Sequence, residues 1–322
     1  MKNIFDRSVL VNIPEVKSWL GMYARNSQDT IKRVEKEICV FFNVMDFKTI
    51  KDVEEFKVED IYKLYELSSE LKWSNNTTNS YIETAKLFYR WANYNNIIKQ
   101  NNSVFGIKRL KNDAEPKYCP SEEEMKTIMQ TIKKHTKNNR MFVMVKLCIY
   151  SGLRRKEICN LKISDIIGNQ IRIVGKGSKI RMQTINSEVI EDIQNYIKTE
   201  RKQNMEKYIQ MGGKDLGYIF VSGINDIENH KKRPKNLENG NKIDPNSFYN
   251  QIKNMCNKVP IKNSEKISPH TLRHYFGTSV YDKTLDLALT QEAMRHSDMA
   301  TTRRYVHLNK QRLEDALTSI SI

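Results

Sequence analysis

Lys108 to Pro120 (KRLKNDAEPKYCP) constrains this chain more than any other stretch. It is polar, carries Pro116 and Pro120, and has almost nothing apolar to bury, so it reads as a linker. At its end, Ser121 and Glu124 have the spacing of a capping box for a new helix. A chain of 322 residues divided here yields two modules of ordinary domain size. We expect domains over 12–112 and 117–322.

The first module reads as helical. Ile31, Val34, Ile38 and Phe41–Phe42 recur at helical spacing, and Asp60 begins another stretch whose stripe is Ile61, Leu64 and Leu67–Leu71. Asn76–Asn95 places Tyr81, Ala85, Phe88–Tyr89 and Ala92 on one side, a stripe we assign to core packing. Lys86 and Arg90 lie beside it. The formal charge of +16 and isoelectric point near 9.4 favour an extended polyanion as partner. About +4 of that charge lies in the first 112 residues and about +12 in the rest. Lys86 and Arg90 are therefore candidates for contacts to nucleic-acid phosphates.

The second module mixes periods. Arg140–Ser151 (RMFVMVKLCIYS) is apolar nearly all round and should be a buried helix. Gly152 then breaks or tightens the chain before a helix carrying Arg154 and Glu157, three apart, with Ile158 and Leu161 toward the core. QIRIVGKGSKIRMQTI alternates on both sides of a Gly-Lys-Gly-Ser centre, with Ile171 and Ile173 before it and Ile180 and Met182 after. That pattern predicts a β-hairpin with Lys176 in its turn and Lys179 and Arg181 just beyond. GKGS is not a phosphate-binding P-loop, because that motif's spacing is absent. Ser187–Met211 reads as helix, GYIFVS (217–222) as a short apolar strand, and 223–245 as a basic exposed loop. The fold class is mainly α with a small antiparallel sheet.

Four residues near the C-terminus complete the candidates. In HTLRH, His270 and Arg273 stand three apart and share a helix face. His296 follows in MRHSDM, and Tyr305 lies nine residues later in TTRRYVHL. Each alone is more often a packed or surface residue; together they suit phosphate chemistry. Five cysteines, odd in number and without CxxC spacing, argue against a disulfide framework or zinc site and for a reducing compartment. No apolar run suits a signal peptide or a bilayer span, so we expect a soluble, cytoplasmic protein without a membrane partner.

In order and spacing these segments resemble the tyrosine recombinase (phage integrase) family from about Ser121 to Leu308. SGLRRKEI is similar to that family's first arginine box, and GKGSKIR to its β-hairpin lysine. SPHTLRHYFGT resembles its HxxR box, and RHSDMATTRRYVHL its terminal histidine–tyrosine segment. The helical first module resembles the family's SAM-like core-binding domain without a diagnostic motif. The resemblance implies a two-domain clamp around double-stranded DNA. It implies specific core recombination sites, a homotetramer in the synaptic complex, and strand exchange through a 3′-phosphotyrosyl intermediate and a Holliday junction.

The resemblance also assigns roles. Tyr305 is the nucleophile, Arg154 and Arg273 grip the non-bridging oxygens, and Lys176 protonates the leaving 5′-oxygen. His270 assists proton loss from the phenol, His296 donates to the phosphate, and Glu157 orients its neighbours. A phenol with pKa about 10 is only about 0.1% ionised near neutrality, so such activation matters. Neither metal, cofactor nor ATP is called for, since the arginines supply the charge and the phosphotyrosyl bond conserves the linkage energy. One departure stands out: the family commonly has glycine before the last histidine, and this chain has Arg295. That side chain adds bulk near His296 or another phosphate contact. A type IB topoisomerase shares the residue set, and a non-catalytic DNA-binding regulator could share the fold.

Overall fold

The computed structural model describes residues 5–99, 101–111, 118–135, 139–175, 180–223, 238–295 and 318. The chain divides into two units, Met1–Glu115 and Pro116–Ile322, each with its own core.

The regular elements among the first unit's described residues are all helices, the α-helices being α1 (Val9–Asn12), α2 (Pro14–Gly21), α3 (Gln28–Met45), α4 (Ile50–Glu55), α5 (Tyr62–Glu70) and α6 (Asn75–Tyr94). Ser27 and Ser74 start the two long helices, their hydroxyls accepting from Thr30 N at 3.3 Å and Thr77 N at 3.2 Å. The expected stripes then meet. Val34, Ile38, Phe41 and Phe42 on α3 pack against Ile82, Ala85, Phe88 and Tyr89 on α6, all buried. Phe88 receives Phe42 edge-on at 5.2 Å and Trp19 of α2 at 5.5 Å. Burying each such ring is worth roughly 1.5–3 kcal/mol, which isolated helical propensity could not supply. A buried carboxylate, Glu37, is satisfied by Arg33 at 2.7 Å and the Thr84 hydroxyl at 2.6 Å.

The second unit contains α7 (Glu122–His135), α8 (Asn139–Ser151), α9 (Arg155–Asn160) and a sheet of β1 (Ile166–Ile167), β2 (Gln170–Val174) and β3 (Ile180–Thr184). There follow α10 (Ser187–Tyr196), a five-residue π turn (Ile197–Arg201), α11 (Lys202–Gln210), α12 (Pro245–Cys256), α13 (Pro269–Thr284) and α14 (Leu287–Met294). The capping box at the start of α7 forms as expected, Ser121 N reaching Glu124 Oε2 at 2.9 Å and Glu124 N reaching Ser121 Oγ at 3.1 Å. Helix α8 is buried nearly all round. Two buried cations sit on it: Lys146 is held by Glu188 at 2.5 Å and Asp192 at 2.6 Å, both on α10, and Arg140 donates Nη1 to the Val221 carbonyl at 2.6 Å.

The sheet is antiparallel in the order β1-β2-β3. Ile171 and Ile173 are buried as expected, but Ile180 and Met182 are 60% and 43% exposed. The register explains this difference. Ile171 faces Gln183 and Ile173 faces Arg181, so Ile180 and Met182 fall on the outer face of the sheet. A second expectation fails at 217–222. Those residues form only single bridges, Lys162↔Tyr218 and Val221↔Lys242, because their hydrogen bonds are split between two segments. Ile219, Phe220 and Val221 are nonetheless fully buried.

Candidate active site

Helix α8 ends at Ser151, and Gly152 turns the chain with φ +57°. Glycine suits that turn doubly: its backbone is left-handed, and a Cβ there would lie 2.3 Å from Cδ1 of Phe276 on α13. The turn presents the Gly152 carbonyl to two guanidinium groups. Arg273 donates Nη1 to it, and Arg295 donates Nη2 at 3.0 Å.

Arg154 follows as the N-cap of α9. Its amide donates to Glu157 Oε2 at 2.8 Å, and its Nη1 donates to Glu157 Oε1 at 2.8 Å. The spacing of three makes this possible, because it is the geometry of a capping box closed by an acidic residue. From there Nη2 reaches the Arg295 carbonyl at 3.1 Å. Arg273 donates its Nη2 to the carbonyl of Met294. Met294 and Arg295 are consecutive at the C-terminal end of α14, where helical carbonyls have no partner of their own and carry partial negative charge. Two arginines from separate elements therefore converge on one helix end.

Exposure divides them. The Arg273 residue is 3% exposed, whereas the Arg154 side chain is 45% exposed. An arginine has five N–H donors, and the bonds given above engage two of those of Arg154. Its guanidinium can take an anion from solvent in a fixed orientation.

Glu157 is the hinge of the cluster, its side chain 9% exposed between Arg154 and Arg295, whose Nη2 lies 3.1 Å from Oε2. Burial pushes its carboxyl up. The Arg295 charge, with the amide and guanidinium of Arg154, outweighs burial and holds the carboxyl below its ordinary range. Burial also lowers the Arg295 guanidinium from its ordinary value, against the opposing pull of Glu157. Cys148, below this cluster in α8, is a buried thiol whose ionisation burial suppresses.

Of the residues named from the sequence, Arg154, Glu157 and Arg273 come together here. His270 stands in the first turn of α13, exposed, one turn before Arg273. Ser268 caps that helix, its hydroxyl accepting from Thr271 N at 3.2 Å, and Pro269 opens it. Lys176, Lys179, His296 and Tyr305 lie outside the described residues. Arg181 is exposed on β3, where it, Gln183 and Arg295 help line a cleft of about 770 Å³ between β3 and α14. In the first unit, Lys86 donates to the Ile107 carbonyl at 2.9 Å and lies 3.6 Å from Glu83, while Arg90 is exposed.

Sequence reading did not find the Gly152 carbonyl, Gln183 or the internal partners of Arg295. Their only signal is a cation where a left-handed residue is required: Arg295 has φ +53°. That conformation also explains why glycine suits the position.

Residues 121–312 match the phage integrase family. A tyrosine recombinase of Pseudothermotoga lettingae is 27% identical over 277 residues, covering 84% of this chain and 84% of that protein. Another, of Thermosipho africanus, is 25% identical over 310 residues, covering 94% and 96%. Among solved structures, the XerH site-specific recombinase bound to its palindromic difH substrate, in a post-cleavage complex, has a TM-score of 0.70 at 20% identity, covering 94% of this chain and 83% of that one. The Tn1549 transposon integrase in complex with transposon right end DNA has a TM-score of 0.68 at 15% identity, covering 91% and 93%. At these identities the structures speak to the fold.

Proposed function

The chain belongs to the phage integrase family of tyrosine recombinases, and from that premise we propose that it cleaves and rejoins double-stranded DNA at specific core sites. The observation that carries this reading is the convergence of Arg154 and Arg273 on the Met294 and Arg295 carbonyls, immediately before His296.

In the first step the Tyr305 oxygen attacks the scissile phosphorus while the bond to the 5′-oxygen breaks. A 3′-phosphotyrosyl bond and a free 5′-hydroxyl result. His270 accepts the phenolic proton, and Lys176 delivers one to the leaving oxygen. Arg154 and Arg273 bind the non-bridging oxygens as charge gathers there, and His296 adds a hydrogen bond. Arginine suits this work because its planar fork stays charged and donates two bonds at once. Loss of one such donor typically raises the barrier by about 3 kcal/mol. Glu157 orients Arg154 and takes no proton. Attack by the 5′-hydroxyl of a partner strand on the phosphotyrosyl bond then restores a phosphodiester and frees the tyrosine. Two such rounds, through a Holliday junction, exchange the duplexes within a homotetramer.

The domain over 117–322 carries this chemistry, and the helical domain over 12–112 binds the core site. Arg90 suits a phosphate contact better than Lys86, whose ammonium already serves Ile107 and Glu83. Arg181, with Lys179, extends the basic surface from the hairpin. The protein acts in the cytoplasm; no described helix is long and apolar enough to cross a membrane.

The test is a nicked suicide substrate, from which the 5′-hydroxyl fragment diffuses away and traps the adduct. Wild-type protein should give a denaturant-resistant protein–DNA complex, and Tyr305→Phe none. A wild-type protein that forms no adduct sinks the enzyme reading. Two-site plasmids should yield recombinant junctions; relaxation without junctions would point to a topoisomerase instead.

A further inference from the structure

We infer that Arg295 is a positioning residue of the cleavage site, holding Arg154 in its phosphate-binding direction and fastening strand β3 to it. The inference rests on the role proposed above for Arg154.

Arg295 is held by bonds in three directions. Its Nη1 donates to Gln183 Oε1 on β3 at 2.7 Å, and its Nη2 donates to the Gly152 carbonyl at 3.0 Å and to Glu157 Oε2 at 3.1 Å. Its side chain is 7% exposed, so the guanidinium faces the protein interior, where Nη1 and Nη2 are bonded and the buried Nε has no partner among the described residues, and it is not offered to a phosphate in solvent. That removes one of the two roles a cation beside His296 suggests.

Arg295 acts on Arg154 by two routes. Through Glu157, it pins the carboxylate whose other oxygen binds Arg154 Nη1. Through its own carbonyl, it accepts Arg154 Nη2 at 3.1 Å. The carbonyl's direction depends on the left-handed backbone at φ +53°, a conformation that a bulky residue keeps only when its surroundings impose it. The four tethers provide that imposition. Gln183 faces Ile171 across the sheet, so the same side chain also fixes the strand that leads back to the hairpin turn. A fork with fixed geometry can join three acceptors in this way, whereas a lysine ammonium on its flexible stem cannot hold the same angles.

The experiment uses the full chain with Arg295→Gly, which suits the left-handed backbone, and Arg295→Met, which keeps the volume. Each is assayed for DNA affinity and for release of the 5′-hydroxyl strand from two suicide substrates. One carries the natural phosphodiester. The other carries a methylphosphonate at the scissile position, a neutral group that lacks the charge Arg154 offsets. On the phosphodiester, both variants should cleave on the order of 10- to 100-fold more slowly with affinity unchanged, as small misplacements of catalytic groups do. On the methylphosphonate they should cleave at the wild-type rate, as should Arg154→Ala. Wild-type cleavage of the phosphodiester by both variants overturns the inference. So does rescue of Arg154→Ala without rescue of the Arg295 variants, and so does loss of DNA binding in both, which would make Arg295 a folding element. Failure of Arg154→Ala itself to be rescued refutes the phosphate-gripping role of Arg154, separately from the Arg295 result.

Discussion

Replacing Glu157 by glutamine keeps the shape of the cluster's central side chain and removes its charge. In the native protein that charge lies 2.8 Å from Arg154 Nη1 and 3.1 Å from Arg295 Nη2. The Arg295 guanidinium, 7% exposed, would lose its anionic partner without gaining water. Breaking a buried pair costs about 3–5 kcal/mol. Arg154 is half exposed and can rehydrate, which places the expected cost near the lower end, about 3 kcal/mol. In a unit of this size each kcal/mol moves the melting temperature by about 2–4 °C, so the shift should be about 6–12 °C.

The distribution of chromophores makes that assay selective. All three tryptophans, Trp19, Trp73 and Trp91, belong to the first unit, whereas Glu157 belongs to the second. Far-UV ellipticity should show the shift, and the tryptophan fluorescence transition should stay where it is. The effect should also depend on pH. The Glu157 carboxyl titrates below its ordinary value of 4.5, so the unfolded chain takes up its proton first as pH falls. The stabilisation it contributes is complete above that value and disappears as pH falls through the lowered one. The gap between wild type and Glu157→Gln should close over the same range. A loss under about 1 kcal/mol near neutrality, or a gap undiminished far below the carboxylate range, would refute the assignment of Glu157 as the charged centre of this cluster.

Two further outcomes follow from the same geometry. Gly152→Ala should destabilise the second unit by more than about 2 kcal/mol in urea unfolding, because a left-handed backbone and a 2.3 Å approach to Phe276 act together; it should also slow strand cleavage by shifting the carbonyl shared by Arg273 and Arg295. DNA affinity should fall steeply with salt, by roughly 10³-fold between about 50 and 200 mM if some six phosphates are neutralised, and a flat response in fluorescence anisotropy would contradict that contact pattern.

How much of this was legible depends on how local the cause is. The α6 stripe of Tyr81, Ala85, Phe88, Tyr89 and Ala92 is visible because a helix brings residues three and four apart onto one face, and all five are buried. Arg154 and Glu157 are legible as a pair for the same reason, their capping box needing only a spacing of three. The outer face of β3 was not legible. Ile180 and Met182 alternate correctly, but which face they take follows from a register set across the turn, with Arg172 opposite Met182. The segment 217–222 looked like a strand because it is apolar, and its apolar residues are indeed buried. A ladder also needs a continuous partner, and its neighbours here are Leu161–Ile163 on one side and Asn241–Ile243 on the other. Arg295 is the extreme case. Its partners Gln183, Glu157 and Gly152 lie 112, 138 and 143 positions away, so no local pattern contains them. The sequence shows only an arginine where glycine is usual.

The anchoring of the α14 carbonyls by Arg154 and Arg273 has a kinetic meaning. Met294 and Arg295 are the root from which the chain leads to Tyr305, and only the ten residues from His296 to Tyr305 intervene. Covalent geometry limits the reach of ten residues to about 35 Å. A single phenol confined to a sphere of that radius is present at an effective concentration on the order of 10 mM. On the roles proposed above for Arg154, Arg273 and Tyr305, the two guanidinium groups would hold both the point from which the nucleophile's chain departs and the phosphate that it attacks. On those roles, any change that loosens Arg154 from the Arg295 carbonyl would weaken the grip on DNA charge and the anchor of the nucleophile's chain in one stroke.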